Sequence, residues 1–146
     1  MNLFYKLVST NKDITLFIVR LTLGLVMLPH GAQKVLGMFG GFGFDGTMNF
    51  FTTQLGIPPI FAMFAIAAEF FGALGLIFGL FTRVAAFGIF VTMFVAAVLV
   101  HGPNGFFLTN NGYEFHILAM GLALPLVLKG AGSFSLDDRI VAQIDK

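Results

Sequence analysis

Two cations, two carboxylates and three histidines stand in apolar surroundings in this chain, and they carry most of the chemistry it can offer. Arg20, His30 and Lys34 fall in one long apolar run, Glu69 falls inside another, and His101, Glu114 and His116 lie near the ends of two more. An ionised side chain at the bilayer centre costs roughly 2.5–3.5 kcal/mol or more, so such groups face one another or a polar cavity. A carboxyl group and an imidazole sharing an apolar cavity suit proton transfer to and from an oxygen. Glu69 is therefore the candidate proton-handling carboxylate and His30 the candidate hydrogen-bonding partner of a ligand carbonyl. Arg20 is expected to hold Glu69 or to stabilise developing negative charge. Gly31, Lys34, His101 and Glu114 are the expected pocket residues around them.

Each assignment has a purely structural counterpart. Arg20 and Glu69 also suit a buried ion pair with no reactive role. Lys34 can snorkel to the outer interface, with Glu114 as a possible partner. His101 and His116 suit the interfacial ends of spans. A metal site from His30, Glu69, Glu114 and His116 is only weakly indicated, because no His-x-x-x-His spacing supports it. Haem would need an axial His or Met, and His30, His101 and His116 are not distinguished as donors.

The elements that must position these groups follow from composition. Of 146 residues, 58% are hydrophobic and 10% charged, against about 25% charged in a soluble domain. Mean hydropathy is +0.94. This is the composition of a small integral membrane protein and of one domain, residues 1–146. The net charge of +1 offers no basic stripe for nucleic acid, and the absence of cysteine removes disulfides, thiolate metal sites and thiol relays. No small-x-small cleavage site follows the first apolar run before Pro29, so the first span is expected to be retained.

The pattern predicts an all-α, antiparallel four-helix bundle with spans at about 14–36, 59–81, 84–101 and 113–129. Asp13 suits the cap of the first span, and Pro29 is expected to bend it. Pro58-Pro59 opens the second. The Gly- and Phe-rich stretch 37–58 is expected to carry a short interfacial helix, Thr47 to Leu55, acting as a lid with Met48, Phe51 and Leu55 on one face. Ser135 and Asp138 resemble a capping box before an amphipathic tail at about 136–144. Gly75-x-x-x-Gly79 suits close helix packing within the bundle or between two copies in a homo-oligomer. Lys6, Lys12, Arg83, Lys129, Arg139 and Lys146 all fall on one side of this topology, which places both termini in the cytoplasm.

Geometry narrows the site. At about 100° per residue, Arg20, Gly24, Met27, Gly31 and Lys34 share a face of the first span. Glu69 borders the small-residue face of the second. Glu114 and His116 point in roughly opposite directions. Depth at about 1.5 Å per residue puts Glu69 at the floor of an outward-opening pocket, with Arg20 below it.

The chain resembles the DoxX family of small four-span membrane proteins. The residues that carry the likeness are Arg20 and Gly24, His30-Gly31 with Lys34, Glu69 followed by Gly72, Gly75 and Gly79, then Arg83, Glu114, and Gly130-Ala-Gly132 with Ser135-Leu-Asp137. They span about Leu16 to Asp138. The resemblance implies a bacterial or archaeal cytoplasmic-membrane protein. It also implies association with quinone chemistry, oxidative stress responses or membrane-bound redox complexes, and hence a redox partner protein as well as the bilayer. The expected function is a redox-associated subunit handling a quinone or similar small apolar molecule. A small solute or proton transporter, and a non-catalytic anchor for a redox or metal-handling complex, are the alternatives.

Overall fold

Each long helix starts and stops where the sequence supplies an end signal. In the computed structural model, which describes residues 3–144 and Lys146, α1 covers Leu3–Val8 and α2 Ile14–Leu36. Of the expected domain, Met1, Asn2 and Asp145 lie outside the described residues. The Asp13 carboxylate accepts the Thr15 N–H at 2.7 Å and so caps α2. Gly37, at φ 69°, ends it in the left-handed region. Pro29 lies inside α2, which continues through it.

The interfacial segment is α3, Gly43–Asn49, followed by a π turn at Phe50–Gln54. It begins before the expected Thr47 and changes pitch halfway. The Thr52 and Thr53 hydroxyls donate to the i−4 carbonyls of Met48 and Asn49, at 2.9 and 2.6 Å. Such side-chain bonds compete with the backbone ladder, and the next amides reach back one residue further, as Leu55 N–H does to Phe50 O. The wider turn rotates the expected face: Phe50, Phe51 and Leu55 line a cavity, and Met48 does not.

α4, Pro59–Phe78, opens on proline and closes in a Schellman turn. Gly79 N–H bonds Leu76 O and Leu80 N–H bonds Gly75 O, at 3.3 and 2.9 Å. α5, Thr82–Ala96, runs on through a π turn at Ala97–His101 and a 3-10 turn at Gly102–Asn104. That run is longer than the expected 84–101. α6 is Glu114–Lys129 and α7 Leu136–Ile144. Three helical runs are long and apolar enough to cross a membrane: Ile14–Leu36, Pro59–Phe78 and Thr82–Asn104. α6, at the expected fourth span, has 16 residues, or about 24 Å.

α2 packs on α4 and α6, α4 on α5, and α5 on α6. Leu23, Met27, Ala73, Leu76, Ile89, Ala123 and Leu126 form the buried core between them. Phe61, Phe64, Phe71, Phe78, Phe87 and Phe94 point outward and are exposed, as lipid-facing side chains are. The α2–α4 crossing is close enough to need glycine. A Cβ on Gly31 would lie 2.5 Å from Phe70 Cα and 2.8 Å from Glu69 O.

The opposite end of the molecule is clasped by two arginines and an aspartate. Arg20 is fully buried. Its guanidinium donates to Leu76 O and Ile77 O at the end of α4, at 2.5 and 2.8 Å, and to Ala131 O and Phe134 O at 3.0 and 3.1 Å. Arg83 repeats the device on α6, donating to Val127 O and Leu128 O at 2.6 and 2.7 Å and to Ser9 O at 3.1 Å. Both cations satisfy carbonyls that a helix C-terminus leaves free. Asp137 does the converse, accepting the Phe81 and Thr82 N–H groups at the start of α5, at 2.8 and 2.9 Å. Burial pushes its carboxyl above the ordinary carboxylate range, against the pull of those two N–H groups and of Arg20. Ser135 Oγ accepts Asp138 N–H at 3.1 Å, so the expected tail cap is present.

Gly75 and Gly79 are used inside the chain. A Cβ on Gly75 would meet Leu80 O and Ala85, and one on Gly79 would meet Ser135 and the Arg20 guanidinium.

Candidate functional site

His30 and Lys34 are one turn apart on α2, so both project from the face that crosses α4. Gly31 between them brings the two backbones together at Glu69–Phe70. This register sets the ion pair. Lys34 Nζ lies 2.5 Å from Glu69 Oε2, with the carboxylate side chain only 4% exposed.

The expected Arg20–Glu69 pair is therefore not formed, and Lys34 does not snorkel away or pair with Glu114. The two helices run antiparallel, so moving from Lys34 back to Arg20 on α2 means moving forward from Glu69 to Leu76 and Ile77 on α4. Seven residues at about 1.5 Å each separate Glu69 from Leu76, roughly 10 Å. Arg20 thus belongs to the helix-end clasp, and the carboxylate is left to Lys34.

The pair lies in the wall of a cavity of about 720 Å³ enclosed by α2, α4, α5, the start of α6 and the lid. Ligand pockets commonly measure about 300–1,000 Å³. Phe51, Phe61, Phe64, Val91 and Phe115 contribute apolar wall, and the polar groups are His30, Lys34, Glu69, Thr92, His101, Asn111 and His116. His30 is exposed to this space and its ring centroid stands 5.4 Å from that of Phe115.

His101 and His116 meet across the α5–α6 contact, ring centroids 4.1 Å apart and planes inclined by 39°. His101 Nδ1 lies 2.7 Å from Asn111 O; a proton on that nitrogen donates to the carbonyl and leaves Nε2 as an acceptor. His116 is 6% exposed, and its Nδ1 has no hydrogen-bond partner among the described residues. A buried polar atom without a partner costs about 1–3 kcal/mol, so this nitrogen is primed for a ligand group.

The expectation that His116 and Glu114 diverge holds, but His116 is the one that faces the cavity. Glu114 is the first residue of α6, its N–H bonded to Phe106 O at 2.9 Å, and it is not in the cavity wall. The candidate metal set of His30, Glu69, Glu114 and His116 is accordingly not assembled: among the described residues no group of three or more His, Cys, Asp or Glu side chains is placed to hold an ion. Asn111, Thr92 and Phe115 join the site without having been singled out. Asn111 sits in a left-handed turn at φ 60°, a position asparagine favours, and that turn chemistry is the one sequence signal that pointed to it.

The sequence model of the DoxX family matches residues 15–102. A Haemophilus influenzae (strain ATCC 51907 / DSM 11121 / KW20 / Rd) uncharacterized protein is 34% identical over 128 residues, covering 83% of this chain and 87% of that protein. The Bacillus subtilis (strain 168) protein named "Putative oxidoreductase CatD" is 28% identical over 125 residues, 86% of each chain. "Inner membrane protein YphA" of Escherichia coli (strain K12) is 29% identical over 140 residues, 88% of this chain and 91% of that one. No solved structure matches the chain. With its family matched over more than half its length and relatives aligned along most of it, this protein belongs to the DoxX family of membrane proteins.

Proposed function

We propose that this protein is a redox-associated membrane subunit, a single domain that holds a quinone-type molecule in the cavity beneath the lid. The observation that carries the reading is the Lys34–Glu69 pair, held in the wall of an otherwise apolar chamber opposite the unpartnered Nδ1 of His116. A quinone supplies two-electron, two-proton chemistry when bound. The Lys34 ammonium donates to one carbonyl oxygen, and His116, or His30 across the chamber, serves the other. Glu69 holds the Lys34 ammonium in place and shares its proton, so that a proton can pass to the ligand oxygen from an ion pair already on the wall. The apolar walls exclude water and accept the ring.

Electrons come from a redox partner protein, since the chain has no cysteine of its own. The oxidoreductase wording in the name of the Bacillus relative supports the same class. In this reading α6 is the fourth, short crossing of a four-helix bundle and both termini face the cytoplasm, with α7 lying in the interface. A transport path is disfavoured, because Leu23, Met27, Ala73 and Ile89 fill the layer between the cavity and the Arg20 clasp.

The test is equilibrium dialysis of duroquinone, which has no tail, against the protein in nanodiscs. Wild type binds it. Glu69→Gln and His116→Ala each weaken binding about tenfold, roughly 1.4 kcal/mol. Wild-type protein that takes up no more duroquinone than empty nanodiscs sinks the reading.

A further inference from the structure

The chamber continues into a second space. An apolar groove of about 520 Å³ runs along the α4–α5 contact toward the Gly79–Thr82 turn. Groove and chamber share Phe64, Ala68 and Gly88 in their walls, so the two are contiguous. Every residue lining the groove is Phe, Ala, Gly, Leu or Val, whereas the charged and imidazole groups all lie in the chamber. The chamber is also open on this side. Phe64 and Phe87, in its wall, are 60% and 58% exposed, which puts part of that wall on the surface that faces lipid.

We propose that the ligand is a quinone with a long isoprenoid tail, which enters sideways from the bilayer between α4 and α5 and lays its tail in this groove. The proposal rests on the quinone reading of the chamber and adds the tail and the route. A polar head and an apolar tail divide between chamber and groove as the wall chemistry divides. From Phe64 to Phe78 the groove follows α4 for about 20 Å, a length that a tail-less ring does not use. Small residues make the track: the α4–α5 crossing is close at Gly72, Gly75 and Gly88, where Cβ atoms would stand 3.4, 3.0 and 3.1 Å from their nearest neighbours. In lipid the tail gains no hydrophobic free energy by leaving other chains, so what holds it is shape and its attachment to a bound head.

That last point supplies the test, which uses wild-type protein in nanodiscs of phosphatidylethanolamine and phosphatidylglycerol. A quinone carrying a diazirine at the far end of its isoprenoid tail is photolysed, and the labelled residues are read by mass spectrometry. Labels on Phe71, Leu74 and Phe78 that fall about tenfold when duroquinone is present at ten times its dissociation constant are the expected result. Labels spread over the outer faces of all helices, while duroquinone still binds, overturn the groove and leave the chamber reading standing. Groove labels that duroquinone does not reduce mark ordinary lipid contact and also overturn the proposal. Absence of duroquinone binding overturns the chamber reading and this inference with it.

Discussion

Replacing Arg20 separates the roles of the two ends of the molecule. Arg20→Met keeps the volume and apolar stem and removes the guanidinium. Four well-formed bonds are lost, to Leu76, Ile77, Ala131 and Phe134. Bonds to a charged group contribute about 1.5–3 kcal/mol each, but they are not additive, and the freed α4 carbonyls lie close enough to the interface to recover some water. Breaking a buried charged network at one member costs about 3–5 kcal/mol, and that is the loss expected here. The segment that lets go is the tail, because two of the four acceptors lie in residues 131–134. Trypsin cutting at Arg139, on the exposed side of α7, follows the population of the released form. The rate should rise from about a hundredfold to a few thousandfold. Duroquinone binding per folded molecule should stay within about twofold of wild type, since Arg20 acts some 10 Å along α4 from Glu69. Wild-type cutting rates, or loss of duroquinone binding with the tail still protected, would refute the assignment of Arg20 to the clasp.

Gly31→Ala should destabilise the protein by about 1–3 kcal/mol, because the new Cβ meets backbone atoms at Phe70 and Glu69; an unchanged thermal midpoint in detergent would contradict the close α2–α4 crossing. Arg83→Met should cost less than Arg20→Met, about 1.5–3 kcal/mol, and should show as faster amide exchange in the last turn of α6, whose carbonyls it caps. Asp137 gives a pH signature. Its carboxyl is raised above its ordinary value of 3.8 by burial, so its contribution to tail docking is full below that value and is lost as pH rises through the raised one. The temperature at which the tail is released should fall as pH rises through that window, and Asp137→Asn should flatten the slope; an unaltered slope in the variant would assign the effect elsewhere.

The sequence was readable wherever a local signal decided the outcome. Asp13, Gly37, Pro58-Pro59 and Gly79 bound α2 and α4 almost at the expected residues, and Ser135 with Asp138 set the start of α7. It misled where the partner was not a side chain. Balancing two cations against two carboxylates paired Arg20 with Glu69, but arginine's partners are main-chain carbonyls at helix ends, which carry no residue type to notice. The helix register that gives Glu69 to Lys34 depends on where α2 and α4 cross. Gly31 marks that place, yet nothing in a glycine says which neighbour it admits. The lid changed pitch because two threonine hydroxyls took backbone acceptors, a competition that an apolar periodicity does not register. His116 looked interfacial by its place near a span end; its burial comes from the approach of His101 on α5.

The central claim is that the chamber built around Lys34, Glu69 and His116 holds a quinone. It is tested most directly by purifying the full-length protein from its native membrane and extracting it with organic solvent, followed by absorption and mass spectrometric analysis of what is released. The account predicts an isoprenoid quinone that stays with wild-type protein through purification and is depleted from Glu69→Gln protein of equal stability. Phospholipid alone from the wild type, or the same quinone content from both proteins, would contradict it.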